Sequence, residues 1–413
     1  MIDLAYLREN KESVTDLLLR KEPTFPVALM IELDGVVRAL KVDVENLRKT
    51  KNDLAQRGAH GDIAQVREQS IMLGKQLKEK ETALQDAEQK LQALWHACPN
   101  IPVADMPVGN KEANKSVREY GQKPTFDFQF KNHVELNEKL GWFDMESAAT
   151  MSGSGFVFYR EMGTKMIYAL TRLMLKNNAQ HGFKPMLPPY LIREEGLFNP
   201  GNLPKFAGDF YELKDEKLCL IPTAEVSLTN LYVDKILKAE EIPVRMTAWT
   251  SCFRREAGTY GSTERGLIRI HQFEKVELYS ICEPEKSFDE LEYMVGCAEK
   301  ILQMLGLHYR VSFLATQDCS FPSAKTYDIE VWLPGQNRYY EVSSCSNCTD
   351  FQSRRSRIRY RKNQDAKPTL VHTLNASSLA LPRLMVALME NNQQADGSIK
   401  LPAILEQEMN ALW

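Results

Sequence analysis

Arginine, glutamate and aromatic residues recur in two short runs near the middle of the sequence. Residues 253–256 read FRRE, and residues 267–277 read LIRIHQFEKVE. Both runs have strand-like composition, and side chains of a strand point alternately to opposite faces of a sheet. One face is therefore expected to carry Arg254, Glu256, Arg269, His271 and Phe273. This pattern suits a nucleoside triphosphate, because guanidinium groups bind phosphate bidentately and the ring stacks on the base. A surface hairpin with cross-strand ion pairs would use the same residue types.

Two later segments offer further ligands for phosphate. Residues 341–344 (EVSS) supply a carboxylate and hydroxyl groups, which are hard oxygen ligands that suit a Mg²⁺ ion bridging phosphates. Residues 374–383 (LNASSLALPR) place small polar residues before a predicted helix and Arg383 near its start. A phosphate there would contact both the guanidinium and the helix N-terminus. No G-x-G-x-x-G or G-x-x-x-x-G-K-[ST] run occurs, so neither a Rossmann nor a P-loop nucleotide site is predicted.

The segments that must position these residues mix predicted helices and strands. Apolar spacing predicts helices over residues 161–180 and 378–392. Runs with strand-forming composition cover residues 247–254, 267–281, 327–332 and 339–344. The strands cluster in the middle without a repeating βαβ unit, which predicts the α+β class with a mainly antiparallel sheet.

The first hundred residues follow a different pattern, in which apolar residues recur at alternating steps of three and four. The first ladder is Met30, Leu33, Val37, Leu40, Val44, Leu47, Lys51 and Leu54. The second ladder is Ile63, Val66, Ser70, Leu73, Leu77, Lys80, Leu84, Ala87, Leu91 and Leu94. Two coiled-coil seams around the turn signal of residues 57–62 (RGAHGD) predict an antiparallel helical hairpin. Its helices of about 30 residues would project about 45 Å, either to reach a partner or as a dimerisation scaffold.

Composition limits the class of protein further. The 413 residues carry a net charge of −3, with 43% apolar and 26% charged residues, which is typical of a soluble protein. No apolar run reaches the ~18 residues of a membrane helix, and no secretory segment opens the chain. The eight cysteines are therefore expected to be reduced thiols in the cytoplasm. The Pro-, Asn- and Gly-rich residues 99–123 predict a linker between an N-terminal domain (1–98) and a larger domain (124–413).

Across its whole length, the sequence resembles the bacterial-type seryl-tRNA synthetases, a family of class II aminoacyl-tRNA synthetases. Residues 182–192 (GFKPMLPPYLI) resemble motif 1, residues 253–277 resemble motif 2, and residues 373–402 resemble motif 3. The helical arm, residues 220–228 (LIPTAEVSL) and residues 324–355 resemble features of the seryl type. The resemblance implies the class II antiparallel sheet flanked by helices and preceded by an all-α coiled-coil arm.

The activity that the resemblance implies is ATP-dependent ligation of L-serine to serine tRNA through a seryl-adenylate intermediate. ATP would be a substrate, Mg²⁺ its metal ion, and selenocysteine tRNA a further acceptor of serine. The resemblance also implies a cytoplasmic homodimer, without membrane attachment, whose N-terminal domain and arm bind the tRNA. Residues 124–413 would be the catalytic domain.

The resemblance also implies roles for matching positions of this sequence. It places Arg254 at the α-phosphate, Glu256 at the adenine amino group, and Phe273 on adenine opposite Arg383, which would hold the γ-phosphate. The further nucleotide residues would be Arg255, Arg269, Ile270, Glu341, Val342, Ser343 and Ser344, with Glu341 and Ser344 as Mg²⁺ ligands. The L-serine residues would be Thr223, Ala224, Glu225, Glu277, Asn375 and Ser377. Catalysis would rest on Arg254, Arg383 and Glu341.

The sequence departs from the family pattern in the loop of motif 2. Ser262, Thr263 and Glu264 differ from the usual residues before Arg265-Gly266, and this bears on binding of the tRNA acceptor end. An amino acid:carrier-protein ligase with the same catalytic domain is one alternative, but such relatives typically lack the long arm. A non-catalytic paralogue is another, but it would be expected to have lost Arg254, Arg383 or Glu341, and all are present.

Overall fold

The computed structural model describes residues 1–57, 63–256 and 265–412. Contacts between Cα atoms divide the chain into two compact units, Met1–Pro99 and Asn100–Trp413. None of the helices in the described ranges combines the length and apolarity needed to cross a membrane.

The regular structure of the first unit is helical. Its helices are α1 (Leu4–Glu9), α2 (Lys11–Lys21), α3 (Val27–Arg57) and α4 (Ile63–Ala97). Asp3 begins α1 as its N-cap, because its carboxylate accepts hydrogen bonds from the backbone N–H groups of Ala5 and Tyr6.

Helices α3 and α4 pair along the predicted coiled-coil seams. Each residue of the α3 seam is buried or half-buried, and so are the described side chains of the α4 seam apart from Lys80. The ion pairs that cross between the helices are Lys41–Glu88, Asp43–Lys80 and Arg48–Glu81. From Lys41–Glu88 to Arg48–Glu81 the residue numbers rise along α3 and fall along α4, so the pair is antiparallel, as predicted. Residues 58–62 of the predicted turn lie outside the described residues.

The second unit combines helices and strands. Its helices are α5 (His133–Leu140), α6 (Met145–Ser152), α7 (Glu161–Gln180), α8 (Glu194–Phe198), α9 (Ala224–Asn230), α10 (Ser287–Met304), α11 (Phe351–Ser356), α12 (Leu381–Asn391) and α13 (Ala403–Asn410). Its strands are β1 (Lys115–Tyr120), β2 (Phe143–Asp144), β3 (Phe158–Tyr159), β4 (Lys184–Met186), β5 (Leu191–Arg193), β6 (Leu218–Leu220), β7 (Ile236–Lys238), β8 (Val244–Phe253), β9 (Gln272–Cys282), β10 (Tyr309–Phe313), β11 (Lys325–Leu333), β12 (Arg338–Asn347), β13 (Arg359–Arg361), β14 (Thr369–Leu370) and β15 (His372–Ala380).

A large sheet, eight-stranded over the described residues, forms the centre of this unit. The strand order is β1-β10-β11-β12-β15-β9-β8-β4. Neighbouring strands are antiparallel except β4 and β8. The predicted fold is therefore confirmed: an α+β domain with a mainly antiparallel sheet flanked by helices, after an all-α coiled-coil arm.

Alternation along the central strand β9 separates the two faces of the sheet. Val276 is fully buried in the main core, to which α7, α10 and α12 contribute. Tyr279 belongs to a second buried cluster, which includes residues of α9. Lys275 and Glu277 alternate with Val276, so they share the face of Tyr279 and α9.

Some predicted element boundaries differ from the structure. Residues 372–380 form β15, so the helix predicted over 378–392 begins only at Leu381. The strand predicted over 267–281 begins at Gln272, because residues 266–268 form a 3₁₀ turn. In the predicted linker, residues 115–120 form the edge strand β1, which is exposed along its whole length and so carries no apolar signal.

Helix α7 contains a glycine that the packing requires. A Cβ at Gly163 would lie 2.0 Å from the backbone oxygen of Trp142, whereas one at Gly296 in α10 would have nothing within 4 Å. We expect Gly163→Ala to destabilise the protein by about 1–3 kcal/mol through overpacking. Gly296→Ala should stabilise it by up to about 1 kcal/mol, because alanine is the better helix former. Calorimetric unfolding midpoints measure both effects, and equal midpoints would contradict the assigned packing.

Candidate active site

The ends of β8 and β9 meet β12 and α12 around a cleft of about 100 Å³. Its lining residues are Arg254, Glu256, Leu267, Ile268, Arg269, Ile270, Phe273, Lys275, Glu341, Val342, Ser377, Ala380, Pro382 and Arg383. Most of the nucleotide residues expected from the sequence therefore lie around one cleft. Residues 262–264 of the unusual motif 2 loop lie outside the described residues.

Arg254 and Glu256 reach this cleft by a route other than the predicted strand alternation. β8 ends at Phe253, and Glu256 has a φ of 51°, in the left-handed region. The backbone N–H of Arg254 donates to the backbone oxygen of His271 at 2.8 Å, which joins the two irregular segments. The guanidinium of Arg254 lies 5.2 Å from the centre of the Phe273 ring. The predicted strand geometry is wrong at these positions, although the side chains still converge.

Arg269 and Arg383 are held at the wall of the cleft by acidic residues. Arg269 Nη1 lies 2.5 Å from Glu256 Oε2. Arg383 Nη1 donates to the backbone oxygen of Glu341 at 2.7 Å and lies 3.4 Å from Glu341 Oε2. These contacts restrict both guanidinium groups to positions where they can contact an anionic ligand.

Oxygen ligands gather on β11 and β12 next to Arg383. In the sheet register, Ser344 lies opposite Asp328 and Glu341 lies opposite Glu330. Burial and the charge of Glu341 raise the pKa of Asp328 well above its usual range. Within the described part of the chain, the buried Asp328 Oδ1 has no hydrogen-bond partner, and no three His, Cys, Asp or Glu side chains form a metal cluster. Mg²⁺ typically binds one or two carboxylates together with phosphates and water, so this donor set fits that ion.

Three residues expected at the nucleotide, Arg255, Ser343 and Ser344, are not among those that line the cleft, and Ser344 contacts Asp328 instead. The Ser343 side chain is buried, and its hydroxyl donates to the backbone oxygen of Ser377. Arg255 Nη1 donates to the backbone oxygen of Gly208 at 3.3 Å. The structure does not bring any of the three side chains to the lining of the cleft.

A second cavity of about 490 Å³ adjoins the first, since Arg254 and Glu256 line both. Its other lining residues are Asn202, Phe206, Asp209, Phe210, Pro222, Thr223, Glu225, Ser320, Pro322 and Asn375. Three residues expected at L-serine, namely Thr223, Glu225 and Asn375, are among them. Ala224 is fully buried in the hydrophobic cluster beneath α9 and does not line the cavity.

Hydrogen bonds connect the polar residues of the second cavity into one network. Thr223 is the N-cap of α9, and its hydroxyl donates to Glu277 Oε2 at 2.9 Å. Glu225 Oε1 accepts from Gln352 Nε2 at 2.6 Å and from Asn375 Nδ2 at 2.9 Å. The network therefore contains two carboxylates, at positions suited to an ammonium group and a hydroxyl.

Known families match both units of the chain. Residues 1–102 match the family described as "Seryl-tRNA synthetase N-terminal domain", and residues 210–392 match "tRNA synthetase class II core domain (G, H, P, S and T)". A serine–tRNA ligase of Geobacter sulfurreducens is 44% identical over 422 residues, covering 100% of this chain and 99% of that protein. The chain belongs to the seryl-tRNA synthetase family. It is thereby a class II aminoacyl-tRNA synthetase and an enzyme of the serine–tRNA ligase type.

Further relatives of this synthetase match it over nearly their whole length. A serine–tRNA ligase of Dehalococcoides mccartyi is 44% identical and covers 98% of both chains. The crystal structure of the seryl-tRNA synthetase of Pyrococcus horikoshii, complexed with ATP, has a TM-score of 0.94 at 33% identity, covering 99% of this chain and 98% of that chain. The cytoplasmic serine–tRNA ligase of Naegleria fowleri in complex with AMP has a TM-score of 0.86 at 26% identity, covering 98% and 95%.

The sequence reasoning missed Lys275 and Gln352 at the site of this synthetase. Lys275 lines the first cleft, and its Nζ lies 2.9 Å from Thr223 Oγ1. Its spacing of two from Phe273 and from Glu277 on one strand could have identified it. Gln352 lies on α11, and no local pattern indicates its contact with Glu225.

The electrostatics of this synthetase's second cavity are set by its two carboxylates. Burial, followed by the charge of Glu277, raises the pKa of Glu225 from 4.5 to about 7. A carboxyl with a raised folded-state pKa contributes most to stability below its unfolded pKa, and this contribution is lost as the pH rises through the folded pKa.

We therefore expect Glu225→Gln to gain stability relative to the wild type as the pH rises from about 4.5 to about 7. The gain should be on the order of 3 kcal/mol, because Gln keeps an oxygen acceptor but does not ionise. Urea unfolding on either side of this range measures the difference, with Glu112→Gln on an exposed turn as the control. A difference independent of pH would contradict the raised pKa of Glu225.

Proposed function

We propose that this protein charges serine tRNA with L-serine in two steps, through a seryl-adenylate intermediate. The observation that carries the proposal is the junction of the two cavities, which share Arg254 and Glu256. A nucleotide in the first cavity and an amino acid in the second would meet beside Arg254. There the amino acid carboxylate would attack the α-phosphorus, and pyrophosphate would leave.

The first cavity has the chemistry of an ATP site. Phe273 offers its ring to the adenine, and Glu256 is the acceptor for the adenine amino group. Arg254 would contact the α-phosphate and Arg383 the γ-phosphate, since both guanidinium groups lie at the wall of the cleft. Arg269 is a further phosphate contact that Glu256 orients.

The oxygen ligands on β12 would hold Mg²⁺ against the phosphates. We assign Glu341 and Ser344 as its ligands. When bound, the ion neutralises phosphate charge as a Lewis acid. Glu341 also orients Arg383 through its backbone oxygen, so one residue would align both groups that contact the phosphates.

The second cavity suits L-serine through its two carboxylates. Glu225 and Thr223 would hold the α-ammonium group, and Glu277 would accept the hydrogen bond of the serine hydroxyl. Ser377 lies opposite Glu277 in the sheet register, and Asn375 contacts Glu225. Alanine would leave the second oxygen of the buried Glu277 without the hydrogen bond of the serine hydroxyl, and a site built in this way can reject such an analogue by ~10⁴-fold.

The proposed reaction needs no general base. The serine carboxylate is already ionised at neutral pH, so it is a nucleophile without proton removal. Catalysis then consists of aligning this carboxylate with the α-phosphorus and neutralising the charge that develops. Arg254 and Arg383 are the residues that we assign to this neutralisation.

The remaining assignments concern partners and organisation. We propose that the helical unit binds the tRNA, that selenocysteine tRNA is a further acceptor of serine, and that the protein works in the cytoplasm. We also propose a homodimer through the motif 1 segment, because the edge strand β4 is followed by Leu187, which is 80% exposed. Residues 1–98 would be the tRNA-binding domain and residues 124–413 the catalytic domain, with 99–123 as the connection.

The first test of the proposal is serine-dependent exchange of pyrophosphate into ATP. We expect Arg383→Ala and Arg254→Ala to reduce this exchange by at least about 100-fold, because each removes a charge-assisted phosphate contact. Arg357→Ala is the matched control, since Arg357 pairs with the exposed Asp234 and lines neither cavity. Near-normal exchange in a folded Arg254→Ala variant would contradict the assigned nucleotide site.

The second test separates adenylate formation from tRNA charging. We expect a chain in which residues 30–95 are replaced by a short linker to retain most of its pyrophosphate exchange, because neither cavity includes these residues. Charging of serine tRNA should fall steeply, because duplex RNA is bound mainly through its backbone and shape. Charging with the wild-type kcat/KM would show that the arm is only a scaffold.

A further inference from the structure

Lys275 is a buried cation that the roles assigned above do not use. Its side chain is 6% exposed, and its Nζ forms an ion pair with Glu277, whose side chain is 2% exposed. Nζ also donates to Thr223 Oγ1 at 2.9 Å. Withdrawing an ammonium group from water is costly, and a buried ion pair is weak support for stability by itself. The position therefore calls for a role in the chemistry of the pocket.

Lys275 lies between the two substrates of the proposed reaction. It is two residues from Phe273 and two residues from Glu277 on β9, so all three share one face of the sheet. Lys275 lines the nucleotide cleft, while its partners Thr223 and Glu277 belong to the network of the second cavity. One ammonium group thus connects the two sites.

The two buried carboxylates Glu225 and Glu277 need a positive charge nearby, and Lys275 supplies it. The groups that face Glu225 and Glu277 are Lys275 and Tyr279 of β9, Cys252 of β8, Arg254 after β8, Gln352 of α11 and Asn375 of β15. Arg254 is directed toward Phe273 and donates to the backbone oxygen of Pro222 at 3.3 Å. Lys275 is the cation in direct contact with Glu277, and its charge acts against the burial that raises the pKa of Glu225.

We propose that Lys275 is a specificity-determining positioning residue, which holds Glu277 in the orientation that accepts the serine hydroxyl and balances the negative charge of the carboxylate pair. This inference rests on the proposed function. Lys275 and Thr223 both contact Glu277 Oε2, so we assign Oε1 to the substrate hydroxyl. Fixing one carboxylate oxygen restricts the side chain to a single orientation, which sets where the other oxygen can accept a hydrogen bond.

The test uses the full-length protein in serine-dependent pyrophosphate exchange at saturating ATP. We expect Lys275→Met to raise the KM for serine by roughly 10- to 100-fold while the KM for ATP changes by less than about threefold. The preference for serine over alanine in kcat/KM should fall, because an unheld Glu277 no longer distinguishes the hydroxyl. The acidic limb of the pH profile of kcat/KM should move up by about one unit, since Glu225 loses the cation that lowers its pKa.

Two further variants keep the test informative if Lys275→Met is unstable. Lys275→Arg keeps the charge and should leave the acidic limb within about 0.3 units of the wild type. The double variant Lys275→Met with Glu277→Gln removes both buried charges, so no carboxylate is left uncompensated. Its acidic limb should return to the wild-type position or below, because Glu225 no longer faces Glu277, while the preference for serine over alanine stays low.

Lys176→Met is the matched control. Its ammonium group pairs with Glu408 Oε1 at 2.6 Å, and it lines neither cavity, so none of these quantities should change. Unchanged serine KM, acidic limb and serine preference in folded Lys275→Met would overturn the inference. A parallel rise of both KM values with an unmoved limb would show a merely structural role and overturn it too. Absence of serine-dependent exchange in the wild type would instead contradict the proposed function.

Discussion

The placing of two carboxylates in one buried pocket is the constraint on which the rest of the site depends. Burial and the charge of the neighbouring Glu277 both raise the pKa of Glu225, so its charged form is costly here. The surrounding groups offset this cost: Lys275 pairs with Glu277, while Gln352 and Asn375 donate to Glu225. These three donors come from three separate elements, namely β9, α11 and β15. A pocket of this kind can therefore form only when the sheet and the helices beside it are complete.

The order of strands explains how distant segments of the sequence reach this pocket. β12, β15, β9 and β8 are consecutive neighbours in the sheet, although β15 follows β9 by some ninety residues of sequence. Because side chains alternate, Glu277 of β9 and Ser377 of β15 face one another in register on the same side. On the opposite face of the sheet, Val276 packs into the main core, and this packing fixes the position of β9. Packing on one face thus determines the geometry of the polar groups on the other.

Much of the fold could be predicted from the sequence where the signal was periodic. The heptad seams of α3 and α4 were correctly identified, because a coiled coil repeats one contact many times. Sequence patterns gave the wrong element where the structure is irregular or exposed. Residues 267–271 have the composition of a strand but form a turn and a loop. The strand β1 was assigned to a linker because it is exposed throughout and so has no apolar alternation. The contact of Gln352 with Glu225 depends on tertiary packing, which no local pattern encodes. Lys275 is a different case, since its alternation with Phe273 and Glu277 is visible in the sequence.

In the first cleft, each of two arginines lies beside a carboxylate that balances its charge, just as Lys275 balances Glu277 in the second cavity. Arg269 is balanced by Glu256, and Arg383 by Glu341. A triphosphate that approached Arg383 would compete with Glu341, and its negative charge would leave that carboxylate without compensation. Glu341 would therefore need a divalent cation at the moment when Arg383 turns to phosphate. In the proposed reaction, charge balance would thus couple the binding of Mg²⁺ to that of the nucleotide, just as it pairs Lys275 with Glu277 in the neighbouring pocket.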